Sequence, residues 1–384
     1  MKLLIAADIF PPQTGGPATY SVGLANAFTE QGIDVRIVSL TLDSTTTMVR
    51  CPISVVKNKH KIIRYFEYFW LLLREGRKVD GIYAMGPVNA GLPALVAAKV
   101  LRKKFVVKVV GDYAWEQGTQ RFGVVDLMDD FQGKKFSGVV GWLQGIEHLT
   151  VRMADQVIVP SKYLQKIVVG WGALHDKVTV IYNAISLSKV QQAVPVSNKP
   201  TEEQWVVTVG RLVPWKGVKE LIEIMTELHK NFPHAQLKVL GDGPDRSRLE
   251  KTITECQAQT FVELLGNVSH ETVLSYMKSS DVLVLNSGYE GLSHVLVEAL
   301  NLDCRILASA IGGNGEVVIP HETGDLFPYN EKTEIQKKIR LALGGTMPLP
   351  FSGSLDRGIF FKKFEFTTMI QETKQLLATL CAHS

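Results

Sequence analysis

Two glutamates stand eight positions apart within residues 287–300, and their surroundings could form a binding site. Glu290 is close to Gly288 and next to Gly291, where the backbone must turn, whereas Glu298 lies in an apolar run that predicts a buried helix. A carboxylate in such a helix is unfavourable unless a donor reaches it. Because a helix N-terminus attracts negative charge, the pair predicts a site for a polyhydroxylated ligand with an anionic part, such as a nucleotide sugar. The alternative is a solvated Glu290 and a Glu298 that caps a neighbouring helix.

A glycine-bounded basic loop supplies two further candidates. Arg211 and Lys216 lie in the run Gly-Arg-Leu-Val-Pro-Trp-Lys-Gly at residues 210–217, which follows a predicted strand. On one short loop, both can reach a single diphosphate, the Arg guanidinium through two oxygens and the Lys ammonium as a point charge. Two solvated surface cations are the alternative.

Gly16 and Asp112 both stand where a predicted strand has just ended. Gly16 completes a Gly-Gly pair between the first predicted strand and the first predicted helix, where a bare backbone can approach a phosphate closely. Asp112 follows the predicted strand at residues 105–110, and a carboxylate at that end of a strand is well placed for a site. Both residue types are also common in ordinary turns.

The glycine pattern that begins at Gly241 argues against a dinucleotide site. The run Gly-Asp-Gly-Pro-Asp-Arg places Arg246 where the dinucleotide-binding pattern has its third glycine. An NAD-dependent dehydrogenase is therefore disfavoured. The loop at residues 310–316 is also rich in glycine and follows a predicted strand.

The length and the strand–helix alternation predict an α/β protein with two domains. At 384 residues the chain exceeds one ordinary core, and β-rich runs alternate with helical stretches as in parallel sheets. We expect two Rossmann-like domains that face each other across a cleft. The expected parts are an N-terminal domain at 1–185, a polar linker at 186–204, a C-terminal domain at 205–345, and a tail with a helix at 346–384 that crosses back to the N-terminal domain.

The composition limits the classes of partner. Residues 1–185 hold 22 Lys and Arg against 15 Asp and Glu, and residues 186–384 hold 20 against 23. The basic first half favours an anionic partner or surface. Its excess of positive charge is nevertheless too small for a nucleic-acid-binding protein. Four scattered cysteines predict neither a metal site nor a disulfide framework. Without a secretory signal or a long apolar run, we expect a cytoplasmic protein, or one peripheral on the inner face of the cell membrane.

A basic and aromatic segment at residues 57–78 bears on the membrane question. It contains seven Lys and Arg, two Glu and five aromatic residues. Such an amphipathic segment can lie in an anionic membrane interface. Alternatively, it is an ordinary helix that packs its aromatic side chains on the N-terminal sheet.

In their order and spacing, these motifs resemble the glycosyltransferases of family four, which have the GT-B fold. The resemblance covers most of residues 1–330, including the Gly-Arg-Leu and Lys-Gly pieces at 210–217, Gly-Asp-Gly-Pro at 241–244, Glu-Gly at 290–291, Glu-Ala at 298–299 and Gly-Gly-x-x-Glu at 312–316. It implies that a hexose-type sugar moves, with retention, from a nucleoside-diphosphate sugar to a glycan or lipid-linked acceptor. It also implies that no metal or cofactor is bound.

The resemblance implies a role for each candidate. Arg211 and Lys216 would hold the diphosphate and stabilise the leaving group, Glu298 would accept from ribose hydroxyls, and Glu290 would bind the donor sugar. Asp112 stands in a region where many relatives have histidine, and it joins the candidate catalytic residues. The donor-binding candidates are Gly16, Gly241, Asn267, Gly291, Leu292 and Glu298. Ser293-His294 replaces the x-Pro of many relatives, so the identity of the sugar stays open.

Other interpretations use the same residues differently. A nucleotide-sugar epimerase or a phosphorylase could share this fold, but epimerases lack the order of Glu290, Glu298 and the Gly-Gly pair at 312–313, and a phosphorylase would need a pyridoxal lysine in a much longer chain. A non-catalytic two-domain binding protein would not need Arg211 and Lys216 in a cleft, and a degenerate, inactive transferase is a further possibility. The nucleotide (UDP, GDP or ADP) stays open, as does the acceptor, whose selection we expect in the loops at 41–60 and 115–140.

Overall fold

The computed structural model describes residues 1–11, 13, 16–41 and 49–382 of the chain. Gly15, the first half of the Gly-Gly pair, lies outside the described residues, as does the 42–48 part of an expected acceptor loop. The chain divides into two compact units, Met1–Tyr182 with Thr367–Ser384 and Asn183–Phe366. Each unit is described by itself below.

In its described part, the first unit contains a seven-stranded parallel sheet with the order β3-β2-β1-β4-β5-β6-β7. Its apolar strands are buried because helices cover both faces of such a sheet. The strands are β1 Lys2–Ala7, β2 Asp34–Ser39, β3 Ile53–Val55, β4 Gly81–Ala84, β5 Lys104–Lys108, β6 Gln156–Val159 and β7 Val178–Val180. The helices are α1 Gly16–Glu30, α2 Lys61–Gly76, α3 Gly91–Leu101, α4 Tyr113–Arg121, α5 Met128–Gln132, α6 Gly138–Met153 and α7 Lys162–Gly170, and most of the C-terminal helix also belongs to this unit.

The second unit repeats the plan with a six-stranded parallel sheet, within the described residues, in the order β10-β9-β8-β11-β12-β13. Its strands are β8 Gln204–Val209, β9 Ala235–Leu240, β10 Val262–Gly266, β11 Val282–Leu285, β12 Ile306–Ser309 and β13 Asp325–Phe327. The helices are α8 Leu187–Gln191, α9 Val218–His229, α10 Arg246–Glu255, α11 His270–Ser279, α12 His294–Asn301, α13 Lys332–Leu343 and α14 Arg357–Lys362, and the C-terminal helix is α15 Phe366–Ala382. The expected linker at 186–204 contains α8, whose Leu187 carbonyl accepts a hydrogen bond from Asn301 Nδ2 at 3.0 Å.

The strand order reverses once in each sheet, and these two reversals matter for function. In the first unit, β1 lies between β2 and β4. Strands β2 and β3 are added on one side of β1, and β4 to β7 are added on its other side. In the second unit, the same change occurs between β8 and β11. In open α/β sheets, the loops at the carboxyl ends of strands diverge at such a switch point and leave a crevice where ligands bind.

The predicted α/β class with two Rossmann-like units is confirmed. The segment predicted as loop at 115–140 instead contains most of α4, all of α5 and the start of α6. None of the helices in the described part of the chain combines the length and apolar character needed to cross a bilayer.

Candidate active site

The loops that follow β8 and β11 meet at the switch point of the second sheet. Lys216 lies on the first of these loops and Glu290 on the second. The Nζ atom of Lys216 is 2.5 Å from Oε1 of Glu290, and their side chains are only 19% and 12% exposed. A pair so withdrawn from solvent is screened by salt less than a surface pair is. The structure therefore brings two of the predicted site residues into direct contact.

Arg211 belongs to the same loop as Lys216, and its side chain is exposed. The two residues line one small cavity together with Gly210. Within the residues that the structure describes, no salt bridge engages Arg211. Its guanidinium is thus available to an incoming anion, whereas the neighbouring ammonium is held by a carboxylate.

The backbone of Glu290 is fixed by the glycine-rich turn that follows β12. The Gly313 N–H donates to the Glu290 carbonyl at 2.9 Å. Gly312 has a φ of +60°, and a Cβ built there would lie 2.1 Å from the same carbonyl oxygen. Only glycine fits this contact, because any side chain would collide with backbone that has nowhere to move. The Gly-Gly pair therefore positions the loop that carries Glu290.

The loop that carries Lys216 is packed in the same way. Gly217 has a φ of +60°, and a Cβ there would lie 2.3 Å from the Asn286 carbonyl oxygen. In return, Asn286 Nδ2 donates to the Gly217 carbonyl at 3.1 Å. Gly241, after β9, has a φ of +131° and would place a Cβ 2.0 Å from the Gly210 carbonyl oxygen. Adjacent loops at this edge thus touch backbone to backbone, which fixes the spacing of the side chains that they carry.

Glu298 lies on α12 and is hydrogen-bonded to a residue that the sequence analysis did not single out. Its Oε1 is 2.9 Å from Nε2 of His270, the first residue of α11. The Glu298 side chain is 13% exposed and that of His270 is 57% exposed. This hydrogen bond raises the pKa of His270 above its usual 6.5, although partial burial opposes the shift. The Glu298 carboxylate, which would be unfavourable in an apolar helix without a hydrogen-bond partner, is therefore paired with His270.

The remaining predicted donor-binding residues of this unit lie at the same edge of the sheet. Gly291 and Leu292 are partly exposed and precede α12, and Asn267 is exposed on the loop after β10. Parallel strands end at a common edge, so these residues and Gly241 share it with Lys216. Among the described residues, no three His, Cys, Asp or Glu side chains are grouped as a metal site.

Gly16 and Asp112 belong to the first unit. Gly16 is the exposed first residue of α1, and a Cβ there would meet nothing within 4 Å. Asp112 is 1% exposed and caps α4, because its Oδ1 accepts from the Trp115 N–H at 2.7 Å. Its Oδ2 accepts from Gln132 Nε2 at 2.7 Å. With both oxygens engaged and no exposed surface, this environment favours a capping role for Asp112 over the catalytic role that we expected.

A second buried carboxyl group, Glu147 on α6, supports the same turn as Asp112. Its oxygens accept from the N–H groups of Tyr113 at 2.7 Å and Ala114 at 3.3 Å. Burial raises the pKa of Asp112, and burial with the nearby charge of Asp112 raises the pKa of Glu147 well above its usual value. Asp112 and Glu147 thus form a buried pair of carboxyl groups that both support the start of α4. The sequence carries no signal for this pair, because Asp112 precedes α4 whereas Glu147 lies 35 positions later on α6.

Two family descriptions match almost the whole chain. "Glycosyltransferase Family 4" matches residues 14–189, and "Glycosyl transferases group 1" matches residues 190–347. An uncharacterized glycosyltransferase of Methanocaldococcus jannaschii is 29% identical over 168 residues, which cover 41% of this chain and 40% of that protein. The phosphatidylinositol N-acetylglucosaminyltransferase GPI3 subunit of Saccharomyces cerevisiae is 25% identical over 252 residues, 63% of this chain and 55% of that protein. The chain thus spans about half the length of the curated relatives that it matches.

A solved structure shares the fold over the full length. The Anabaena protein HepE in complex with UDP superposes with a TM-score of 0.76 and 19% sequence identity, covering 99% of this chain and 100% of that one. The same protein has also been solved with UDP-glucose, with a TM-score of 0.74 against this chain.

Proposed function

Because this chain belongs to glycosyltransferase family 4 and has the GT-B fold, we propose that it transfers a hexose-type sugar from a nucleoside diphosphate to a glycan or lipid-linked acceptor, with retention at the anomeric carbon. UDP-glucose is the first donor to try, since the HepE structures hold UDP and UDP-glucose. In this proposal, residues 205–345 bind the donor and residues 1–185 serve the acceptor. Gly16, at the start of α1, would approach the diphosphate.

The observation that carries the proposal is the contact between Lys216 and Glu290 at the switch point of the second sheet. Charge develops on the diphosphate as the bond to the sugar breaks. Lys216 and the nearby Arg211 would offset that charge, a contribution of about 3 kcal/mol for one well-placed donor. Two cations can serve here without a metal ion. Glu290 would exchange its bond with Lys216 for bonds to the sugar hydroxyls.

The proposed chemistry needs no nucleophile from the protein. The bond between the anomeric carbon and the diphosphate oxygen breaks, and the acceptor hydroxyl forms the new bond on the same face of the sugar. The acceptor proton passes to an oxygen of the departing diphosphate. The N–H groups that precede α12, at Gly291 and Leu292, would donate to the donor sugar.

Glu298 would bind the ribose of the donor. Its Oε1 is taken by His270, which leaves Oε2 for a hydroxyl group. Asn267 and Gly241, on the loops after β10 and β9, would lie beside the nucleotide. Together, His270 and the ribose would satisfy both oxygens of a carboxylate that lies within an apolar helix.

We also propose that the first unit associates with an anionic membrane surface through α2, as suits an enzyme of cell-envelope polysaccharide synthesis. Ile62, Phe66 and Trp70 on this helix are 63%, 71% and 58% exposed, whereas Tyr68 and Leu72 are fully buried. The helix therefore packs one apolar face on the unit and presents another, flanked by basic residues, to solvent. Co-sedimentation with phosphatidylglycerol vesicles at low salt tests this, and absence of binding would refute it.

A thermal-shift panel of UDP, GDP, ADP and their sugar conjugates tests the main proposal. A ligand at about a hundredfold its Kd should stabilise the protein by about 2.7 kcal/mol. We expect one nucleotide to stabilise the chain, and its sugar conjugate to release nucleoside diphosphate when an acceptor is present. No shift with any nucleotide would overturn the proposal. A shift without any transfer would favour the epimerase or the binding-protein alternative.

A further inference from the structure

An apolar groove of about 820 Å³ lies on the first unit, between α2, α3, α4 and α6. We call it the α2–α6 groove. Its walls include Phe66 and Phe69 from α2, Val96 from α3, and Trp142 and Ile146 from α6. Phe66 and Trp142 are 71% and 64% exposed, which is unusual for large apolar side chains. An apolar concavity of this size on a water-facing surface marks a binding site.

Two cations line the groove and lack acidic partners. Lys61 begins α2 and Arg121 ends α4, and both side chains are exposed. In the described ranges of the chain, neither forms a salt bridge. The groove thus combines a hydrocarbon-like lining with two positive charges, which complements an apolar ligand that carries an anionic group.

Two of the polar side chains that line the groove, Tyr65 and Asn89, are hydrogen-bonded to each other. The Tyr65 hydroxyl donates to Asn89 Oδ1 at 2.9 Å, and Asn89 Nδ2 donates to Asp8 Oδ2 at 3.5 Å. An inserted peptide would bury backbone N–H and C=O groups that need partners, and this lining offers few. A hydrocarbon chain makes no such demand, so the groove suits a lipid better than a peptide.

The groove reaches the switch point of the first sheet. Val88 and Asn89, in the loop after β4, line it, and Asp8 directly follows β1. The strand order reverses between β1 and β4, which is where ligands of α/β sheets bind. A chain lying in the groove would therefore place its polar head near the site expected for the acceptor.

We infer that the α2–α6 groove binds the hydrocarbon chain of a single lipid phosphate, with Lys61 and Arg121 against the phosphate. This inference rests on the proposed function, since it makes the acceptor a lipid-linked one. It differs from adsorption to a membrane surface, because one chain is withdrawn into the protein. Trp70, on the exposed face of α2, does not line the groove.

The inference is tested by calorimetric titration of alkyl phosphates from hexyl to dodecyl, below their micelle concentrations and without nucleotide. Each added methylene that enters the groove should strengthen binding about fourfold, until the groove is full. The Lys61→Gln/Arg121→Gln double variant should weaken dodecyl phosphate binding about fivefold, as expected for two exposed charges.

The chain offers a matched pair of variants on one helix. Val139 and Leu149 both lie on α6 and are both 49% exposed, but only Val139 lines the groove. Val139→Glu should weaken dodecyl phosphate binding at least tenfold, whereas Leu149→Glu should leave it within twofold of the wild type. Unfolding midpoints would show that both variants are folded. Val96→Glu and Val100→Glu on α3 repeat the comparison, since only Val96 lines the groove.

The possible results separate the inference from the proposed function. Affinity that does not change with chain length, or equal loss in both α6 variants, would overturn the groove as a chain-binding site. Alkyl phosphate binding that needs Trp70 would indicate surface adsorption instead. Failure of alkyl phosphates alongside a clear nucleotide shift would remove only this inference. The opposite outcome would keep the groove and remove the donor site.

Discussion

Lys216 and Glu290 are 74 positions apart in the chain, and a hydrogen bond of 2.5 Å joins their side chains. The loops that carry them follow neighbouring strands, β8 and β11, at the point where the strand order reverses. Each charge of this half-buried pair offsets the desolvation cost that the other would have without a partner. Under the proposed function, a donor would replace this contact with contacts of its own, and the pair would then make nucleotide and sugar binding interdependent.

Lys216→Ala should lower turnover about 10²- to 10³-fold, because one preorganised positive donor is lost at the departing diphosphate. Lys219→Ala is the matched control. Lys219 is three residues away and pairs with Glu223 on the surface of α9. Initial rates with a saturating donor, and unfolding curves for both variants, measure the effect. A folded Lys216→Ala protein with nearly wild-type turnover would remove Lys216 from the diphosphate site.

Glu290→Gln should also impair turnover severely, since an amide cannot hold Lys216 by charge or accept through two anionic oxygens. The change keeps the shape of the side chain, so the loop fixed by Gly312 and Gly313 should persist. In a double-mutant cycle with Lys216→Ala, the losses in turnover should fall well short of additivity. Additive losses, or an unchanged rate for the single variant, would show that the two residues do not act together.

Gly312→Ala should destabilise the protein by about 2 kcal/mol or more, through left-handed strain and collision with the Glu290 carbonyl. It should also slow turnover, because the collision displaces Glu290. Gly315→Ala is the control within the same turn, since a Cβ there meets nothing within 4 Å. Urea unfolding and rate measurements on both variants test this. Equal behaviour of the two variants would mean that the turn does not position Glu290.

The His270–Glu298 hydrogen bond should make stability depend on pH in a defined direction. The pKa of His270 in the folded protein lies above 6.5, so this contribution is complete below pH 6.5 and disappears as pH rises through the raised value. Wild type should exceed His270→Gln in stability at about pH 6 by less than about 1 kcal/mol, because His270 is exposed, and the difference should shrink by about pH 9. Urea unfolding at both pH values measures it, and a difference that grows with pH would contradict the assignment.

Asp112→Asn should keep most of the turnover, because Asn caps a helix about as well as Asp does. Asp112→Ala should instead cost about 1–2 kcal/mol of stability through loss of the cap. Unfolding curves and rates for both variants distinguish a structural from a catalytic role. A stable Asp112→Asn protein that has lost its turnover would restore the catalytic role first expected from the sequence.

The sequence predicted the strands well where they are apolar and long enough. The strand predicted at residues 105–110 is confirmed as β5, because its apolar residues are buried in the sheet. Strands β3 and β13 have only three residues each, which are too few to show a periodicity in the sequence. Their pairing depends on the sheet edge that the rest of the unit provides.

Residue types and their positions after strands were enough to select candidate site residues, but not to predict which of them are in contact. Lys216 and Glu290 were both selected, but their direct contact follows from the strand order, which the sequence does not state. His270 was missed because its partner Glu298 is 28 positions away on another helix. Asp112 was correctly placed after a strand, but Gln132 and Glu147 reach it from elsewhere in the unit and bury it.

The glycine contacts at this edge also constrain how the protein can be altered. Where one loop rests its backbone directly on the next, inserting or deleting a residue in either would disturb both. Attempts to alter the proposed sugar preference should therefore change single side chains rather than exchange whole loops. Sequence drift in such loops should be correlated, with changes after β8 accompanied by compensating changes after β11.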